Sequence, residues 1–156
     1  MKFYYNKRDN RFLYLRKTKE GFIDASFPSG LDNMTEFMKG TDKIPIYEGE
    51  PMELLVPNTV DASLEKHVPV VKIDGNRIRV KVGEVLHPMT DEHHIEFIIL
   101  ETTESRYEEW WPWIKEKNKD GNPEVEFTLR TDLWPDDKPL RVYAFCNLHG
   151  LWVKEL

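Results

Sequence analysis

The sequence predicts a mainly all-β protein, an antiparallel β-sandwich preceded by a small β-rich domain, and three observations carry that prediction. From Val68 onward, short runs rich in β-branched and aromatic residues recur with turn residues between them. The pair Asp74-Gly75 supplies hairpin turn chemistry between two of those runs. The first 56 residues show the same habit on a smaller scale, and the prolines and turn residues between Val56 and Leu64 mark a boundary. Two domains follow, residues 1–56 and 57–156.

Taken in order, "KFYY", "RFLYLR" and "FIDASF" read as short strands with polar turns between them. "LDNMTEFMKG" places Met34, Phe37 and Met38 at helical spacing, so an amphipathic helix is expected, with that stripe as core packing and not as a cofactor box. In the second domain "VPVVKI", the turn "DGN" and "RIRVKVG" form a hairpin. "HIEFIILET", "EVEFTLR", "LRVYAFC" and "LWVKEL" add four strands, the pattern of a sandwich. Only "SRYEEWWPWIKEKNKDGN" breaks the rhythm. It is expected to be a long connection folded back over the sandwich, with a protein-binding patch at Trp110, Trp111 and Trp113 as the competing reading.

Composition excludes several function classes. The chain has 156 residues, 40% hydrophobic and 32% charged, so it can bury a core and is not disordered. A formal net charge of −6 argues against nucleic acid, which is bound by clustered Lys and Arg. No run approaches the roughly 20 apolar residues of a membrane span, and the first residues lack a signal peptide's apolar stretch. A soluble cytoplasmic protein with no membrane partner is therefore expected. The one cysteine, Cys146, cannot form an internal disulfide, in keeping with a reducing compartment.

All five histidines, His67, His87, His93, His94 and His149, fall after residue 66. Each lies at a strand end or in a loop, and loops at one end of a sandwich converge. Neutral imidazoles with one thiolate suit a borderline transition metal and not Ca²⁺ or Mg²⁺, which take oxygen ligands. Structural zinc favours paired cysteines and four ligands. Blue copper needs a Met soon after the Cys, whereas every Met here lies at or before Met89. Iron with five protein ligands and one open position fits best.

"EKHVPV", "VGEVLHPMTDEHHIEFI" and "FCNLHGLW" together resemble the superoxide reductase family, also called desulfoferrodoxin and neelaredoxin. The resemblance covers about the last 95 residues and holds in order and in spacing, with His149 three positions after Cys146. It implies an immunoglobulin-like sandwich and one Fe(II)/Fe(III) per chain, with His67, His87, His93 and His149 equatorial and Cys146 axial. His94 stands where the family commonly carries an aromatic residue. Neighbours on a strand face opposite ways, so one of the pair reaches the metal, and the spacing match assigns His93.

The resemblance further implies one-electron reduction of superoxide to hydrogen peroxide. Lys66 would attract the anion and order a proton-donating water, and Glu65 would take the sixth position of oxidised iron. A rubredoxin-like electron donor, a homodimer and an anaerobic or microaerophilic prokaryotic source are the accompanying expectations. "GEPMELL" likens the first domain to desulforedoxin, but Asn6, Asp9, Tyr47 and Glu48 stand where that family has cysteines. Without thiolates an FeS₄ centre cannot form, so no second iron centre is expected. Two further readings compete: a non-catalytic iron-binding electron carrier or redox sensor with the same site, and a β-sandwich interaction module with a vestigial one.

Overall fold

The computed structural model describes residues 1–17, 23–26, 44–118 and 121–156; the helix expected over 31–40 lies outside the described residues. The chain divides into two compact units, Met1–Val56 and Pro57–Leu156.

In the first unit, β1 (Lys2–Asn6), β2 (Arg11–Lys17), β3 (Ile23–Ser26) and β6 (Glu53–Leu55) form an antiparallel sheet in the order β3-β2-β1-β6. A two-stranded ribbon, β4 (Ile46–Tyr47) with β5 (Glu50–Pro51), accompanies it. Glu48 and Gly49 both have positive φ, 50° and 78°, the mark of the primed two-residue turns whose twist matches flanking strands. Tyr4, Leu13 and Met52 form a small buried cluster.

The second unit is the expected sandwich. One sheet runs β11 (Glu124–Thr128), β8 (Arg77–Val82), β7 (Pro69–Asp74); the other runs β10 (Arg106–Trp110), β9 (Ile95–Thr102), β12 (Pro139–Cys146), β13 (Gly150–Glu155). All pairings are antiparallel. Period-two alternation is plain in β8, where Ile78, Val80 and Val82 are buried and Arg77 and Arg79 are exposed. Those three side chains meet Val125 and Phe127 of β11 and Ile98, Leu100, Val142 and Ala144 of the opposite sheet in one core, which also takes in Cys146. Burying a Val, Leu, Ile or Phe side chain is worth about 1.5–3 kcal/mol, so this layer is what holds the loop-bearing ends in place.

Segment 105–122 departs from expectation. Arg106–Trp110 is a strand paired to β9, and Trp111–Lys117 is a short helix, α2, with Pro112 in its first turn, where a missing N–H costs nothing. Uniform half-burial hides the strand from a periodicity reading. A second helix, α1 (Leu64–His67), precedes β7, so His67 stands at a helix end and not in an irregular loop. Among the described residues no helix is long and apolar enough to cross a membrane.

Candidate metal centre

Three segments at one end of the sandwich, one helix end and two connections, carry the histidines. His67 ends α1; His87 and His93 lie in the connection from β8 to β9; Cys146 closes β12 and His149 sits in the turn to β13. The connection after β8 turns on Gly83, whose φ is +83°. A Cβ there would stand 2.7 Å from the Lys66 carbonyl oxygen and 2.4 Å from that of Val85, so only glycine permits this approach. Gly83 N donates to Val68 O, and Val85 N donates to Glu65 O at 3.1 Å, fastening the His87 loop against α1.

The donor atoms of His67, His87, His93, Cys146 and His149 all lie within 4.8 Å of one another. The four imidazoles form a closed ring in the order 67, 87, 93, 149, with neighbouring centroids 4.8, 4.4, 5.0 and 4.7 Å apart and planes crossed by 72° to 82°. His67 and His93, across the ring, are 6.4 Å apart. Cys146 Sγ lies 3.5 Å from His149 Nδ1. The thiol is fully buried, whereas His93 and His149 are only half-buried, so the cage opens to solvent on the imidazole side.

Hydrogen bonds outside the cage decide which ring nitrogen faces inward. His67 Nδ1 donates to Ser63 O at 2.7 Å and His87 Nδ1 donates to Pro88 O at 2.6 Å, which leaves each Nε2 with its lone pair towards the centre. Trp152, completely buried, stacks on His67 at 4.9 Å and donates through Nε1 to His149 O. His94 points elsewhere: Nε2 meets a Glu96 oxygen at 2.9 Å, Nδ1 meets Thr90 O, and the ring stacks on Trp111. Lys115 lies over the same indole and pairs with Asp91, so the Trp-rich segment braces the loop that carries His93. Trp152, Ser63 and Asn147 were not singled out by the sequence, and Trp111 was singled out only as part of a protein-binding patch; the turn position of Asn147 between Cys146 and His149 offered the one signal.

This cage fits a metal ion on its own chemistry. His87 Nε2 and His93 Nε2 are buried without a hydrogen-bond partner, a rare and costly state. His67 Nε2 and His149 Nδ1 stand 2.9 Å apart. Two nitrogens bound at right angles to one metal at about 2.1 Å would be about 3 Å apart, close to that value. Burial holds His87 down at about 4 and lowers His67 and His93, which keeps their lone pairs free at neutral pH. Burial pushes the Cys146 thiol up, partly offset by the main-chain N–H groups of Leu148 and His149. A cation reverses that balance, since a coordinating thiol loses its proton. Glu65 and Lys66, both exposed, lie on α1 beside His67, and the Lys66 ammonium contributes to lowering His67 and His93.

An immunoglobulin-like sandwich whose loops gather four imidazoles and one thiol defines a class of mononuclear metal-site proteins. The family model described as Desulfoferrodoxin matches residues 59–155, and the chain belongs to this family. It is 46% identical over 103 residues to the desulfoferrodoxin homolog of Methanothermobacter thermautotrophicus, covering 66% of this chain and 74% of that protein. With the desulfoferrodoxin of Syntrophotalea carbinolica it shares 40% over 123 residues, 79% and 88% of the two chains. The crystal structure of the superoxide reductase from Treponema pallidum is similar at TM-score 0.63 and 34% identity, over 91% of this chain and 99% of that one.

Proposed function

We propose that this protein is a superoxide reductase with His67, His87, His93, His149 and Cys146 as the ligands of one iron ion. That ion, cycling between Fe(II) and Fe(III), would supply the electron in the conversion of superoxide, one electron and two protons into hydrogen peroxide. The observation that carries this reading is the closed imidazole ring with two buried, unpartnered Nε2 atoms above a buried thiol.

The chain's own residues divide the remaining work. Cys146 holds a negative sulfur on the buried side, stabilised by the N–H groups of Leu148 and His149. Its charge favours the oxidised state, and electron release to the substrate with it. The hydrophobic layer behind Cys146 excludes water from that side. On the open side Lys66 would draw the anion in and order the water that delivers protons, and Glu65 would cover that side after product leaves. A rubredoxin-like protein would return the electron and the active form would be a homodimer; the family resemblance supports both, and the site itself bears on neither.

Reduced protein mixed with superoxide in a stopped-flow instrument is expected to oxidise rapidly with formation of hydrogen peroxide. The oxidised protein should show a thiolate-to-Fe(III) charge-transfer band that is absent in Cys146→Ser. Iron binding with the band present but no peroxide formed would leave an electron carrier or sensor instead.

A further inference from the structure

Two of the four imidazoles have a ring nitrogen fixed from outside the cage: His67 and His87 each donate to a main-chain carbonyl. His149 Nδ1 meets only other inward atoms of the cage, Cys146 Sγ and His67 Nε2. His93 has no such bond at the ring; its Nε2 is without a hydrogen-bond partner. Its place is set by its backbone, and that backbone is gripped by Asn147. Asn147 Oδ1 accepts from His94 N at 2.9 Å, Asn147 Nδ2 donates to Glu92 O at 2.9 Å, and Asn147 N donates to His94 O at 3.1 Å. One side chain thus holds the residues on both sides of His93. The β9–β12 ladder slips register between Phe145 and Cys146, so regular pairing ends where the amide takes over. Asn147 also follows Cys146 directly, which ties the His93 loop to the strand bearing the thiol.

We infer that Asn147 is a positioning residue of the cage, its side-chain amide fixing where the His93 imidazole stands relative to the Cys146 thiol. This rests on the reading of the cage as a metal centre. Asn suits the task because it offers an acceptor and a donor on one short, planar group, and the two backbone atoms it serves need one of each. Ser and Thr are also neutral donors and acceptors, but they carry both functions on one oxygen and cannot reach two backbone atoms from separate atoms as the amide does. Partners in the shell outside metal ligands typically command about 10- to 100-fold in metal affinity.

The test is a cobalt(II) titration of the metal-free full chain, followed by the visible ligand-field bands and by competition with a chelator. Asn147→Ala is expected to bind cobalt about 10- to 100-fold more weakly than the parent, with altered bands. Asn147→Asp keeps the acceptor for His94 N–H but sets a carboxylate oxygen against the Glu92 carbonyl, so a loss is expected from a variant that preserves shape, and it should shrink as the carboxylate is protonated at lower pH. In a His93→Ala background, Asn147→Ala should add less than about threefold, because its effect passes through His93. Parental affinity in Asn147→Ala, or the same fold-loss in both backgrounds, overturns the inference and leaves Asn147 with a role in turn stability. A parent chain that binds no cobalt overturns the metal-centre reading instead.

Discussion

Two clusters of polar residues, one in each unit, show opposite habits. In the first unit, at the positions where the desulforedoxin resemblance would place cysteines, polar atoms satisfy one another: Asn6 Oδ1 accepts from Asp9 N at 3.1 Å, and Arg8 spans from Asp9 to Glu50 at 2.8 and 2.9 Å. In the second unit the inward nitrogens of His87 and His93 find no hydrogen-bond partner. Leaving a buried polar atom unpaired costs about 1–3 kcal/mol, so the second cluster would gain from a bound cation. The first cluster has nothing to gain from one. Site chemistry is therefore legible in what a cluster lacks, not in how many polar residues it contains.

The largest expected effect separates the two clusters outright. Purified protein should contain one iron per chain by elemental analysis. His87→Ala should lose it, with an affinity drop beyond the about 10- to 100-fold typical of outer partners. Asp9→Ala should leave the stoichiometry at one. A value near two in the parent, or a loss of iron in Asp9→Ala, breaks the comparison.

A second, smaller effect lies in the pH dependence of the metal-free protein. Histidines in the unfolded chain take up protons near pH 6.5, whereas burial holds folded His87 to about 4 and lowers His67 and His93 as well. Between those values the unfolded state binds more protons. The contribution is therefore fully present above about pH 6.5 and is lost as pH falls towards 4. For His87 alone it amounts to about 3 kcal/mol across that window. Denaturant unfolding at pH 7 and at pH 4.5 should show a steeper loss in the parent than in His87→Gln, after metal removal from both. Equal slopes would place His87 in contact with solvent.

The sequence made some of this plain and hid the rest for identifiable reasons. The strands of the second unit were legible because β8 alternates and β9 is an apolar run, both set by burial against a single core. That histidines and one cysteine converge was legible from their places in loops and at element ends, whereas the choice of these five came from the spacing match to the superoxide reductase family. His93 and His94 could be told apart only through spacing, and the structure supplies the physical difference: Glu96, Thr90 and Trp111 hold the His94 ring. Strand β10 was hidden because Arg106–Trp110 pairs by its backbone while its charged and aromatic side chains stay half-buried, giving no period to read. The bracket formed by Asn147 was hidden because it joins residues 53 and 55 positions apart, which no local pattern records.

The smallest effect concerns Lys66 and sharpens the comparison from the side of the field. A net charge of −6 repels a diffusing anion on average, so a fast reaction needs local positive potential at the open side of the cage. A divalent ion with one thiolate carries a formal charge of about +1, and neutral imidazoles add none. The Lys66 ammonium is exposed, lies one residue before His67, and reaches His93 with its charge, to judge by its share in lowering that histidine. Replacing it with Ala should slow the second-order reaction with superoxide by roughly three- to tenfold at low salt. The loss should shrink near physiological ionic strength, where the screening length is about 8 Å. The visible spectrum should not change, because no ligand is touched. In the first unit, Arg8 is paired with Asp9 and Glu50, so Arg8→Ala should leave the rate and its salt dependence alone. If Lys66→Ala and Arg8→Ala behave alike, the lysine is an ordinary solvated charge and the anion is drawn in by the metal centre itself.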